Sequence, residues 1–223
     1  MNRWDIINAF IEKHNYKSYL EIGYYKGWSF DQVKCDLKVA VDPNPSKEEW
    51  MIKDNWGSFS DIEDGQRIQI NKEASDRFFE RLPENKRVDI IFIDGLHEAE
   101  QVSRDIENAL KFLSPKGTII LHDCNPPKYE HTTTGIDGCW TGDAYRAVID
   151  AYINKEIDLY TIDTDWGCGV IIPNPNPKLD GRTAAAIQAW QHNPSWEIFD
   201  MYRKELLNLI SVEDFKTKLN ERA

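Results

Sequence analysis

Residues 19 to 27 read Tyr19-Leu-Glu-Ile-Gly-Tyr-Tyr-Lys-Gly27, an apolar run carrying the acid Glu21 that passes into a turn with two glycines, Gly23 and Gly27. This order predicts a first β-strand delivering its backbone to a glycine turn and a helix N-terminus, the place where open α/β sheets receive a nucleotide-like cofactor. Lys38-Val-Ala-Val-Asp42 is a second short strand ending on an acid. Asp42 lies about 20 residues on, where dinucleotide folds place the carboxylate that takes ribose hydroxyls. The pair implies a Rossmann-like nucleoside site.

A chain of 223 residues can form one α/β domain with additions and bury a large core. Hydrophobic residues make up 41% and charged residues 29%, without an apolar run near the ~18 residues a membrane span needs, so a globular protein away from the membrane is expected. The start, Met1-Asn2-Arg3-Trp4-Asp5, lacks the basic, apolar and small-residue order of a secretory signal. Cys35, Cys124, Cys139 and Cys168 form no C-x-x-C pair and read as reduced thiols of a cytoplasmic protein. The net charge of -11 disfavours a phosphate backbone as partner, so nucleic acid is not expected.

Strands and helices alternate through the first three quarters of the chain. Trp4, Ile7, Phe10 and Ile11 mark a helix, Trp28 to Asp36 is expected to be a second, and Ser46-Lys-Glu-Glu49 is a capping box for a third running toward Trp56. Arg67 to Ile70 is a strand candidate, and Ser75 is the expected N-cap of a helix carrying Phe78, Phe79 and Leu82. Val88 to Ile93 is nearly apolar throughout, as a strand covered on both faces should be. A helix with Ala99, Val102, Ile106, Ala109, Leu110 and Leu113 on one face follows, ended by Ser114-Pro-Lys-Gly117 before a strand from Thr118 to Leu121. Cys124 to Trp140 is expected to be a long functional loop, Thr141 to Tyr152 a helix, and Leu159 to Thr164 with Gly169 to Ile172 a hairpin about Asp165-Trp-Gly. The predicted fold is α/β: a Rossmann-like, doubly wound, mostly parallel sheet with a C-terminal antiparallel hairpin. Residues 1–177 would form that domain. Residues 178–223 would be a helical extension packed on it, with helices at Ala184 to Gln191 and Trp196 to Ile210, and a route to homo-oligomers.

Two more strands end in polar clusters, Asp94-Gly-Leu-His97 and His122-Asp123-Cys124-Asn125. Ligands of open parallel sheets sit beyond the carboxyl ends of strands, so Asp94 and Asp123 are expected to converge. Two carboxylates with an imidazole or amide suit a hard octahedral ion, Mg²⁺ or Mn²⁺, better than tetrahedral zinc. Each residue also has a plainer reading: Asp94 before Gly95 as an Asx-turn, Ser75 as a cap, the glycines as turn formers, His97 as a helix cap. The acids of Ser60 to Asp64 read as a solvated face, and Trp140 and Trp166 as candidate walls for a substrate.

Taken together, Glu21-Ile-Gly23 with Gly27, Asp42, Ser75-Asp76, Asp94-Gly-Leu-His97 and His122-Asp123 resemble a class I S-adenosylmethionine-dependent methyltransferase. The closest resemblance is to the small-molecule O-methyltransferase group that includes macrocin-type sugar enzymes and, more distantly, catechol O-methyltransferase. It covers roughly residues 17 to 172. It implies that Glu21 and Gly23 contact the amino-acid end of S-adenosylmethionine, that Asp42 takes the ribose, that Ser75 and Asp76 lie near the adenine, and that Gly27 and Asp94 complete the cofactor site. It further implies a divalent ion on Asp94 and Asp123 with His122 beside them. The pattern departs at Cys124, where the catechol enzymes carry an amide, and at His122, where the sugar enzymes carry an acid. His97, three residues after Asp94, matches a basic position near the transferred methyl and is the candidate general base, with Asp94 as its catalytic companion.

The expected reaction is methyl transfer to a hydroxyl of a small molecule, a sugar or glycosylated metabolite among the candidates. A nicotinamide-dependent oxidoreductase shares the early β-α-β signature, but the G-x-x-x-G turn lacks the full G-x-G-x-x-G phosphate fingerprint. A protein that binds S-adenosylmethionine without catalysis is the third reading.

Overall fold

The computed structural model describes residues 1–46, 62–63, 66–136 and 138–221. The helix expected from the Ser46 to Glu49 capping box toward Trp56 lies outside the described residues, and of the acidic run Ser60 to Asp64 only Ile62 and Glu63 are described. The chain divides into two compact units, Met1–Leu96 with Arg104–Ile120, and His97–Ser103 with Leu121–Ala223.

The first unit contains α1 (Arg3–His14), β1 (Ser18–Ile22), β2 (Leu37–Val41), β3 (Ile62–Glu63), β4 (Gln66–Asn71), α2 (Ser75–Glu80) and β5 (Val88–Ile93), followed by most of α3 (Ala99–Phe112) and β6 (Leu113–Leu121). Its strands lie in the order β3-β4-β2-β1-β5-β6. β4, β2, β1 and β5 pair in parallel, and β3 is antiparallel to β4. The chain thus starts in mid-sheet, steps outward through β2 to β4, and returns to β5 on the other side of β1. That reversal between β1 and β5 is the switch point of a doubly wound sheet. Burial of nearly every residue of β1, β2 and β5 explains their Val- and Ile-rich composition. Ile6, Ile7, Phe10 and Ile11 of α1 are buried, and the helix packs on β5.

Asp89 pins the near end of these strands. Its carboxylate accepts from Lys17 N at 2.9 Å, Ser18 N at 3.1 Å, Ser18 Oγ at 2.9 Å and Ser114 Oγ at 2.8 Å. Burial alone would raise this carboxyl, but the bonds from Lys17, Ser114 and Ser18 hold it below the ordinary carboxylate range. The same contacts correct the expected break at Ser114 to Gly117. With Ser114 bonded to Asp89, and Gly117 so near that a Cβ would stand 2.7 Å from the Asp89 carbonyl oxygen, this stretch is already strand, and β6 begins at Leu113.

The helix expected from Trp28 to Asp36 is absent. Phe30–Gln32 forms one 3-10 turn and Val33 is extended. The backbone groups a helix would pair internally are taken from outside. The buried Lys38 ammonium donates to Phe30 O, Asn8 Nδ2 donates to Gln32 O at 2.9 Å, and Lys34 N donates to Asn8 Oδ1 at 2.8 Å. The α2 helix also differs from expectation: Ala74 occupies the N-cap position and Ser75 is the first, buried helical residue. Pro83 disfavours the helical region for the preceding Leu82, and the helix stops at Glu80.

The second unit contains α4 (Tyr129–Thr133), α5 (Ala144–Asn154), β7 (Ile157–Ile162), β8 (Cys168–Pro173), α6 (Gly181–His192), α7 (Trp196–Leu206), β9 (Leu209–Ile210) and α8 (Val212–Glu221). The antiparallel β7-β8 hairpin matches the sequence expectation, and its turn places Asp165, Trp166 and Gly167 at φ of 46°, 64° and 86°. The stretch from Cys124 to Trp140 is not all loop, since it holds α4 and an antiparallel bridge between Ile136 and Cys139. The helix expected to reach Ile210 ends at Leu206. Asn208 turns left-handed (φ 43°) and bonds Leu159 O at 2.8 Å, and β9 then pairs in parallel with β7. Tyr145 and Phe199, with ring centroids 4.2 Å apart, lie in an aromatic core with Trp190 and Trp196.

Asn8→Ala should lower stability by roughly 1–3 kcal/mol, because Gln32 O and Lys34 N both lose their partner. Urea denaturation would measure it, and the Lys34 amide should exchange faster than in the parent protein.

Candidate active site

In the first unit, the residues that the glycine turn promised meet at the carboxyl ends of β1, β2 and β5. Gly23 N donates to Val41 O at 2.9 Å, and Asp94 N donates to Ile22 O at 2.8 Å. Gly23 has φ +95°, and a Cβ there would stand 2.0 Å from Asp94 O, so only glycine lets the turn after β1 press on the turn after β5. Asp42 closes the turn from the β2 side. Its Oδ2 accepts from Tyr25 N at 2.7 Å and its Oδ1 from Asn44 N at 2.6 Å. Gly27, at φ +75°, packs against the Tyr24 ring. Asp94 is half-buried, and Arg3 Nε lies 3.9 Å from its Oδ2 while donating to Ser29 Oγ at 2.9 Å. Asp76 pairs with Arg104 of α3 at 3.2 Å.

Glu21 is buried and accepts from the Tyr19 hydroxyl. Burial pushes its carboxyl up to about 8, against the opposing Tyr19 bond and with the Asp94 charge adding to the rise. Lys38 and Arg3 hold it partly back. An acid of this kind is poised for a cation, since an arriving positive charge favours its ionised form.

In the second unit, His97, His122 and Asp123 come together. Asp123 is buried at φ +58°, and its Oδ2 lies 3.2 Å from His97 Nδ1 and 3.2 Å from His122 Nδ1. The other ring nitrogen of His122, Nε2, faces Asp165 Oδ1 at 3.4 Å. His97 Nδ1 also lies 3.1 Å from Trp140 O, and its ring stacks on the Trp140 indole at 5.5 Å. A nitrogen facing a carboxylate and a carbonyl carries the proton, so a neutral His97 holds its lone pair on Nε2. Cys124 turns inward, its Sγ 3.4 Å from His122 O, and burial pushes the thiol far up, which keeps it out of thiolate chemistry.

Sequence reasoning missed several partners. Tyr19 on Glu21, Arg3 beside Asp94 and Asp165 on His122 carry no motif of their own. Arg203 of α7 is another: it donates to Asn125 Oδ1 at 2.6 Å and Pro126 O at 2.5 Å, holding the loop that follows Asp123. The acid at the apex of the hairpin turn was the one available signal, since Asp165 follows a strand as Asp94 does.

Residues 20–124 match the family model of a methyltransferase domain. Comparison with curated proteins found no match. Among solved structures, the O-methyltransferase TomG from Streptomyces achromogenes, involved in tomaymycin synthesis and in complex with SAM, is 12% identical over 77% of this chain and 79% of its own, with a TM-score of 0.55. An O-methyltransferase from Bacillus cereus in complex with SAH is 14% identical over 76% and 80% of the two chains (TM-score 0.52). SAH-bound Podospora anserina methyltransferase PaMTH1 is 16% identical over 77% and 78% (TM-score 0.53). At these identities the likeness establishes the fold. Residues 20–124 thus match a methyltransferase-domain model, and the chain shares the Rossmann-like fold of these O-methyltransferases. Among the described residues no helix is long and apolar enough to cross a membrane.

Folded Glu21 keeps its proton well above the ordinary 4.5, so the stability it contributes is complete below pH 4.5 and is lost as the pH rises through about 8. Unfolding free energies from urea denaturation should fall across that window by an amount on the order of 1–4 kcal/mol, and Glu21→Gln should flatten the decline.

Proposed function

We propose that this methyltransferase-domain chain transfers a methyl group from S-adenosylmethionine to a hydroxyl oxygen of a small-molecule acceptor, with His97 as the general base. The observation that carries the reading is the His97 to Asp123 pair at 3.2 Å, in a chain whose cofactor turn is built on Gly23 and Asp42. The residues fit the cofactor. Glu21, protonated when the site is empty of charge and ionised beside a cation, suits the ammonium end. The half-buried Asp42, already anchored by two backbone amides, suits ribose hydroxyls. Ser75 and Asp76 complete the proposed adenine end, with Gly23, Gly27 and Asp94 along the turn.

S-adenosylmethionine, when bound, supplies a methyl carbon made electrophilic by its sulfonium. His97 Nε2 takes the proton of the acceptor hydroxyl, and Asp123 stabilises the imidazolium that results. Trp140, stacked on that ring, keeps bulk water from one face of the base. The proposed acceptors are hydroxylated metabolites, sugars among them, in the cytoplasm, taken up by the free chain or by a homo-oligomer formed through the C-terminal helices.

His97→Ala should lower turnover by roughly 10²–10⁴-fold and leave cofactor affinity nearly unchanged. Calorimetry with S-adenosylmethionine, S-adenosylhomocysteine and NAD decides the cofactor, and binding of NAD alone would sink the assignment. Binding of S-adenosylmethionine at pH 7 should release a proton from Glu21, visible as a heat that depends on the buffer.

A second element of the proposal is a divalent ion, Mg²⁺ or Mn²⁺, held by Asp94 and Asp123 with His122 beside them. What favours it is donor chemistry: hard carboxylate oxygens and an imidazole already oriented by Asp165. Titration with Mg²⁺ and Mn²⁺ should give binding that Asp94→Ala and Asp123→Ala each abolish. Retained binding in both variants would remove the ion from the reaction.

A further inference from the structure

We infer that Asp143 is a positioning residue for His97, an inference that rests on the reading of His97 as the base. Asp143 stands at the N-cap of α5, where an aspartate ordinarily accepts from the amides of its own helix. Its side chain makes no such bond. Oδ1 instead accepts from Ala99 N, the first amide of α3, at 2.7 Å, while the Asp143 amide donates to His97 O at 3.0 Å. One residue thus clasps the backbone on both sides of Glu98 and fixes the peptide from which the His97 ring projects.

The residues just before Asp143 tighten the clasp. Gly142, at φ +58°, lies so close that a Cβ would stand 1.9 Å from His97 O. Trp140 supplies both the carbonyl facing His97 Nδ1 and the indole on which the ring stacks. Backbone, ring plane and Nδ1 of His97 are therefore all set by residues 140 to 143. Two geometric requirements follow. The Nδ1 proton must point at Asp123 and Trp140 O, and the lone pair must stay on Nε2. Without the Oδ1 bond to Ala99 N, the Asp143 amide alone holds this peptide, and the ring is less firmly fixed against the pair of acceptors that selects its tautomer.

The test is a comparison of histidine ring nitrogens by NMR in the full-length protein labelled with ¹⁵N-histidine, at one fixed pH, with His97 assigned through His97→Gln. The parent protein should show His97 protonated on Nδ1. Asp143→Ala should move a measurable share of that signal toward the other tautomer, and Asp143→Asn, which keeps the Oδ1 acceptor, should restore the parent pattern. Ala99→Pro cuts the same bond from the donor side at a first-turn position that tolerates proline, and should reproduce the Asp143→Ala spectrum even if Asp143→Ala folds poorly. Where the parent protein turns over an acceptor, Asp143→Ala should cost about 10-fold or more in kcat, the scale of losing an outer hydrogen bond that orients a functional histidine, with S-adenosylhomocysteine affinity unchanged. A parent-like His97 pattern in both Asp143→Ala and Ala99→Pro would overturn the inference. Failure of the parent protein to bind S-adenosylmethionine would instead overturn the proposed function, leaving the ring spectra to decide the clasp on their own.

Discussion

The turn after β1 and the turn after β5 occupy almost the same space. Gly23 approaches the Asp94 backbone so closely that a methyl group would overlap the carbonyl, and the Asp94 amide in turn bonds the last residue of β1. Side chains on these two strand ends therefore cannot be placed independently. Glu21, two residues before the contact, is driven into the interior, and its carboxyl feels the Asp94 charge. The acid that the fold would offer to a cofactor owes its unusual proton affinity first to this enclosure and only second to neighbouring charges.

Strands were the most readable part of the chain. Val88 to Ile93 and the β7-β8 hairpin declare themselves because buried parallel strands need continuous apolar runs and a tight turn needs residues such as Asp165-Trp-Gly167. The glycine turn and Asp42 were readable for the same reason, since each needs a particular residue type at one backbone position. Helices near the sheet ends were less so. Nothing in Trp28 to Asp36 reveals that Asn8 and Lys38 will take the backbone groups a helix requires, because those partners come from other elements. Asn208 and β9 escaped detection likewise, as a two-residue strand exists only through its neighbour.

The site residues divide along the same line. Asp123 and His97 could be named from their places after strands, yet what gives them chemical character is tertiary. Asp123 turns left-handed and gathers two imidazoles, and the His97 ring takes its orientation from a segment more than forty positions along the chain. Cys124 is packed inward, while the neighbouring Asn125 is held by Arg203.

Leu209 and Ile210 do more than end a helix. By lying alongside Thr161 and Ile162 they occupy main-chain groups of β7 that would otherwise stand open at the margin of the hairpin. Exposed strand margins recruit strands from other molecules, and proteins commonly cover them with short, dispensable-looking pieces of chain. Leu209 and Ile210 are such a guard. Proteolytic trimming before Leu209 would expose a template for intermolecular pairing, so a clipped preparation would be lost to aggregation.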